Sequence, residues 1–154
     1  MRSGTENVPG MVGFGKAAEL AGKELDSEAR RIGKLRDELV TGILSNIEKT
    51  YLNGHPKQRL PNNANISFSF VEGEPVCLNL DLANICVSTG SACSSASTEA
   101  SHVLLALGIP PELARSAIRF SYGKWSTEED NQRVMAVLPR TVSKLRAISP
   151  LYQK

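Results

Sequence analysis

The 154-residue sequence is poor in aromatic side chains, 5% of the total, and holds only three cysteines and two histidines. An odd number of cysteines with no Cys-x-x-Cys pair fits no zinc framework, so no metal site is expected. It also argues against a secreted disulfide scaffold and suits a reducing compartment. No apolar run approaches the ~20 residues needed to span a bilayer, which excludes a transmembrane helix. Met1-Arg2-Ser3-Gly4-Thr5-Glu6 contains no apolar stretch of a secretory leader. An excess of one charge is missing too. Eighteen basic against sixteen acidic side chains leave +2, too little for nucleic-acid binding through bulk field. What is present is ordinary: 41% hydrophobic and 22% charged residues. That balance suits one globular domain burying roughly two thirds of its unfolded surface. No repeat, low-complexity tract or interdomain linker is visible.

Periodicity sets the coarse order. Residues 8 to about 48 read as helical, with Ile32, Leu35, Leu39, Ile43 and Ile47 on one face. Pro9 suits a first turn. A break near Lys23 is expected, with Asp26-Ser27 capping a second helix. Residues 16–49 hold seven basic and seven acidic side chains, a balanced solvated face. Asn53-Gly54-His55-Pro56 is a turn. Asn65 to Val71 alternates, placing Ile66, Phe68 and Phe70 on one strand face and Ser67 and Ser69 on the other. A short helix over 74–83 and a strand over 85–88 follow. A helix over 99–107 stops at Gly108, and Pro110-Pro111 opens another, to about Arg115. In the strand 117–122, Ile118, Phe120 and Tyr122 share a face opposite Arg119 and Ser121. Ser126 and Glu129 form a capping box for the last helix. Val134, Val137, Leu138, Val142, Leu145 and Ile148 point inward, and Pro139 kinks that helix. The five basic and no acidic residues of 133–154 complement the helix dipole or form a basic docking surface. Helices around a few short strands predict a two-layer α+β domain.

Three motifs carry chemistry in their residue types. Gly10-Met11-Val12-Gly13-Phe14-Gly15-Lys16 has P-loop spacing. Ala17 stands where Ser or Thr would hold magnesium, and no strand precedes it. The glycines read better as close-packing positions on a helix. Cys93 lies in Gly90-Ser91-Ala92-Cys93-Ser94-Ser95-Ala96-Ser97, without a large apolar neighbour to anchor it. Cys77 and Cys86, flanked by Val76, Leu78, Ile85 and Val87, read as core. Cys93 is therefore either a mobile, reactive thiol or an inert loop residue, and reactivity requires some activation. Arg119 points away from Ile118 and Phe120. Its planar fork suits a carboxylate ligand or an internal salt bridge, and both readings stand. His55 reads as an exposed turn residue and His102 as a helix-surface one.

Taken in order, these stretches resemble the NifS/IscS-type cysteine desulfurases. Arg2-Ser3-Gly4-Thr5-Glu6-Asn7-Val8-Pro9-Gly10, Val12-Gly13-Phe14-Gly15-Lys16-Ala17, Pro61-Asn62-Asn63, Asn65-Ile66-Ser67-Phe68 and Val71-Glu72-Gly73-Glu74 carry the likeness. So do Ser88-Thr89-Gly90-Ser91-Ala92-Cys93-Ser94-Ser95-Ala96-Ser97, Ile118-Arg119-Phe120-Ser121-Tyr122-Gly123 and Leu145-Arg146-Ala147-Ile148-Ser149-Pro150-Leu151. The resemblance implies an aminotransferase class V fold. Residues 1–154 would form one domain, the small C-terminal α+β domain of fold-type I transferases, with a short sheet packed against helices. The implied cofactor is pyridoxal 5'-phosphate and the implied substrate is L-cysteine, which leaves as alanine. By the match, Cys93 is the nucleophile that holds the sulfur as a persulfide for iron–sulfur cluster or thio-cofactor assembly. Arg119 holds the substrate carboxylate. Thr5, presented by the turn Arg2-Ser3-Gly4, reaches the cofactor phosphate of the other subunit in a homodimer.

Members of that family are much longer, and the match is to their C-terminal part. The large cofactor domain, with its Schiff-base lysine in Ser-x-His-Lys, has no counterpart here, and no His-Lys pair occurs. The expectation is a chain inactive alone, or one that needs a complementary N-terminal large-domain chain. Its implied partners are an iron–sulfur scaffold or another sulfur acceptor, with no nucleic acid and no membrane. Its implied place is the cytoplasm, or an organellar matrix in a eukaryote. A stand-alone sulfur carrier and a non-catalytic assembly domain are the alternatives.

Overall fold

Helix formation begins at Asn7, whose side chain accepts a hydrogen bond from the Gly10 amide at 3.1 Å, with Pro9 in the first turn. In the computed structural model, which describes residues 3–89, 100–150 and 152, this start opens a single helix, α1 (Val8–Asn46). The break expected near Lys23 does not occur. Ser27 bonds back to the Glu24 carbonyl at 2.9 Å, the i−3 alternative to capping open to a mid-helix serine. Ion pairs at helical spacing, Lys16–Glu19, Lys23–Glu19 and Arg31–Glu28, line this stretch. The Gly10–Lys16 segment is thus helical and no phosphate loop. Its residues are exposed; Gly13 and Gly15 face open space within the described chain, and Gly10 leaves room for the capping Asn7 side chain.

The strands β1 (Thr50–Leu52), β2 (Asn63–Phe68), β3 (Ser88–Thr89) and β4 (Ala117–Ser121) form one antiparallel sheet in the order β1-β2-β4-β3. The helices α2 (Gly73–Asp81), α3 (His102–Ala106), α4 (Pro111–Arg115) and α5 (Glu128–Ala147) complete the fold. Even-numbered residues of β2 and β4 face the main core. There Ala64, Ile66, Phe68, Ile118, Phe120 and Tyr122 meet Ile32–Ile47 of the first helix and its end, Val76 and Leu80 of α2, and Val134, Leu138 and Val142 of α5. Odd-numbered residues face the other way, where Ala117 packs with Leu104 and Ala114. The fold is α+β, as expected.

Several local expectations are corrected. Residues 50–52 form a strand that the sequence pattern did not announce. Phe70 is not in β2. The strand ends at Phe68 and Phe70 adopts φ +68°, turning its ring against Tyr152 with Lys49 Nζ 4.9 Å from its centroid. Ser67 is fully buried, not solvent-facing. Its Oγ donates to the Leu113 carbonyl at 2.7 Å, so the short α4 covers that face. β3 begins at Ser88, leaving 85–87 outside the strand. The capping box is Thr127 with Asp130, one residue beyond the expected pair; Ser126 Oγ instead accepts from the Gly123 amide at 3.0 Å. α5 continues past Pro139, and Ile148 is 77% exposed, not inward. Arg146, one of the C-terminal basic residues, is buried and donates to the Ser69 and Lys49 carbonyls. At least that cation is a structural clamp.

Tyr122 ties three elements together. Its hydroxyl donates to Asn131 Oδ1 at 2.7 Å, and Asn131 Nδ2 donates to the Leu35 carbonyl at 2.9 Å. Burial, then the Asp130 and Glu38 carboxylates, push the hydroxyl above its ordinary range. It stays protonated in the folded state where an unfolded tyrosine ionises, so its contribution is complete below pH ~10 and declines above it. Tyr122→Phe strands the Asn131 oxygen and is expected to cost about 1–3 kcal/mol in urea unfolding at neutral pH.

Candidate active-site face

Arg119 sits on β4, the strand between β2 and β3, and looks out from the side of the sheet opposite the main core. The registers align it with Asn65 on β2 and Ser88 on β3. The β1–β2 register, continued one residue past Leu52, adds Asn53, whose amide donates to the Asn65 carbonyl at 2.8 Å. A polar row, Asn53–Asn65–Arg119–Ser88, therefore crosses all four strands. Among the described residues Arg119 forms no ion pair. Its Nε is buried and has no hydrogen-bond partner. The internal salt bridge left open by the sequence is therefore not formed within the described chain. A buried donor without an acceptor costs on the order of 1–3 kcal/mol and calls for an explanation, a bound ligand, ion or water among them; Arg59 Nη1 is the other such atom among the described residues. Asn53, Asn65 and Ser88 were missed at the level of sequence. The signal was the alternation of Asn65 with Ile66, read only as the outer face of a strand.

Thr5 lies just before α1 and is exposed, next to Gly4 at φ +103°. Residues 3–23 are exposed throughout, and the first contact of the helix with the body is the Glu24–Lys124 ion pair. At about 1.5 Å per residue, sixteen helical residues carry Thr5 roughly 24 Å from that contact. Thr5 and Arg119 are not brought together within one chain. Cys93 falls in 90–99, outside the described residues. Cys77 packs against the core, and burial with the nearby Glu74 raises its thiol, keeping it protonated. Cys86 is exposed, not core as expected, because residues 85–87 run as irregular chain before β3. His55 is exposed and its Nδ1 accepts from the Lys57 and Gln58 amides, as suits a turn. Among the described residues no cluster of three His, Cys, Asp or Glu could hold a metal, and no helix is long and apolar enough to cross a membrane.

Residues 1–134 match the family model of class-V aminotransferases. The chain belongs to that family. Within it, this class-V chain is similar along its whole length to cysteine desulfurases of the IscS and NifS type. It is 51% identical over 154 residues to cysteine desulfurase IscS 1 of Archaeoglobus fulgidus, covering 100% of this chain and 40% of that one. It is 53% identical to cysteine desulfurase IscS of Methanosarcina thermophila, covering 99% and 38%. A NifS-like protein of Rickettsia africae superposes with a TM-score of 0.80 at 30% identity, over 92% of this chain and 36% of the other. A second solved NifS-like protein gives 0.80 at 34% identity, over 93% and 36%. The class-V chain thus spans about two fifths of the curated relatives it matches.

Class-V membership implies pyridoxal phosphate as cofactor. Thr5 carries a hydroxyl able to donate to a phosphate oxygen and stands exposed just before a projecting helix. Thr5 is separated from the Arg119 face by the exposed first turns of α1, so these two groups do not by themselves enclose a cofactor within one chain.

Proposed function

We propose that the class-V chain is the part of a cysteine desulfurase that grips the substrate carboxylate and receives its sulfur. The observation that carries this reading is Arg119: a guanidinium on an inner strand, without an ion pair among the described residues and with a buried, unbonded Nε. An amino-acid carboxylate supplies the two parallel acceptors that such a fork takes. The relatives' names narrow the amino acid to cysteine.

The chain's own residues then have separate tasks. Arg119 orients the substrate by its carboxylate. Cys93, as thiolate, attacks the substrate sulfur: a bond forms between Cys93 Sγ and that sulfur, and the substrate Cβ–S bond breaks. The electron pair stays with the substrate carbon, which gains a proton and leaves as alanine. Cys93 keeps the sulfur as a persulfide for an acceptor thiol, with iron–sulfur assembly the destination suggested by the family. Pyridoxal phosphate, when bound, supplies the electron sink that makes the substrate carbon able to accept the pair. Its lysine comes from sequence outside these 154 residues.

The exposed apolar side of α1 supports a two-part enzyme. Val8, Met11, Val12 and Phe14 are 56–78% exposed. Such a face is costly to leave in water and fits burial against further protein, which we assign to the missing large domain. The test is release of sulfide and alanine from L-cysteine with pyridoxal phosphate. The chain alone is expected to be silent, and addition of a lysine-bearing N-terminal polypeptide to give turnover. Turnover by the chain alone, or none after complementation, contradicts the proposal.

A further inference from the structure

We infer that Asn65 is a second donor to the substrate carboxylate, working beside Arg119; this rests on the reading of Arg119 given above. The hydrogen-bond pattern fixes how close the two are. Tyr122 N bonds the Asn62 carbonyl and Phe68 N bonds the Ser116 carbonyl. The bonded pairs of this antiparallel ladder are therefore the even-numbered β2 residues, and Asn65↔Arg119 is a non-hydrogen-bonded pair. Side chains approach most closely at such pairs, with Cα atoms typically ~4.5 Å apart.

The network also fixes which end of the Asn65 amide faces Arg119's side. Ser67 Oγ spends its proton on the Leu113 carbonyl at 2.7 Å. It must therefore accept from Asn53, whose Nδ2 lies 2.8 Å away. The same Nδ2 carries its other proton to Asn65 Oδ1 at 2.7 Å. Asn65 consequently presents its oxygen to Asn53, and its Nδ2, with two protons, is the end left for another group. Arg119 holds only donors. Two donor groups side by side cannot satisfy each other; a shared anion with several lone pairs satisfies both. Ser88, the other neighbour in the row, gives its hydroxyl proton to the Thr89 carbonyl at 3.0 Å. Asn53 and Ser67 act one step back, as positioning residues that hold the amide the right way round.

The test follows the side-chain resonances of Asn65 Nδ2 and Arg119 Nε in the 154-residue chain during titration with L-alanine, with L-alaninamide as the control that lacks the carboxylate. Both resonances are expected to move along one saturable curve with alanine and to stay still with alaninamide. Movement of Arg119 without Asn65 overturns the inference and leaves the reading of Arg119 standing. Stillness of both, or the same response to alaninamide, overturns both. Asn65→Ala removes the donor without placing a charge beside Arg119, and Asn53 Nδ2 keeps its bond to Ser67. Its half-saturation is expected to rise roughly ten- to a hundredfold, with the backbone spectrum otherwise unchanged. A purely structural Asn65 predicts wild-type binding by Asn65→Ala, which contradicts the inference. Should that variant not fold, Asn65→Ser is expected to show the same weakening, and wild-type binding by it would count equally against the inference.

Discussion

Cys93→Ala is expected to abolish sulfur transfer in the complemented enzyme, by three orders of magnitude or more, while the cofactor's visible absorbance stays in place. The reason is chemical. The proposed step needs a sulfur nucleophile that leaves with the transferred atom, and neither alanine nor a water molecule can hold a persulfide. Cys77 cannot replace it, because its thiol is partly buried in the core cluster and raised by that burial. Cys86 is exposed but lies on the approach to β3, outside the loop assigned to sulfur transfer, and is expected to give no rescue. The measurement is sulfide released per minute alongside the absorbance spectrum. Residual transfer near the wild-type rate, or loss of the cofactor signal together with activity, contradicts the role.

Arg119→Ala is expected to have the next largest effect. Truncating one partner of a desolvated charge pair costs about 2–5 kcal/mol, roughly thirty- to several-thousand-fold in kcat/KM for L-cysteine. Most of it is expected in KM, because the carboxylate is held alike before and during reaction. Arg119→Lys keeps the charge but loses the fork and is expected to fall between the two. The fold gives this prediction a second, independent arm. Arg119 Nε is buried without a partner, so removing the guanidinium strands no acceptor. The urea midpoint of Arg119→Met is expected to be unchanged or raised. A large loss of stability would mean that the residue is structural, and an unchanged response to cysteine concentration would remove it from the site.

The parts of this fold legible in the sequence are those whose side chains alternate or repeat against one large core. The spacing of Ile32, Leu35, Leu39 and Ile43 gave the buried face of α1, and Ile118-Arg119-Phe120 gave β4 and the direction of its arginine. The losses share a cause. Ser67 was assigned to an outer face because the pattern carries no sign of α4, five residues long, whose Leu113 carbonyl takes its hydroxyl proton. β1 is three residues long, and Thr50-Tyr51-Leu52 is too short for a period to register. Ser126 and Thr127 both satisfy a capping pattern with the acidic run 128–130, and only the backbone at Gly123 chooses between them. Cys86 looked interior because its neighbours are apolar, yet the irregular chain of 85–87 turns its sulfur outward. Arg119 was legible as a candidate, but its lack of an internal partner needed three dimensions. The α1 break near Lys23 was expected from caps that exist in sequence; helix hydrogen bonding and the flanking ion pairs outweighed them.

The most direct measurement is intact-protein and peptide mass spectrometry of this chain after turnover with L-cysteine in the complemented enzyme, with all free thiols blocked at quenching. The account predicts one added sulfur atom, on the peptide bearing Cys93, discharged when an acceptor thiol is supplied. Sulfur found on Cys77 or Cys86, or turnover with no sulfur on this chain at all, would contradict it.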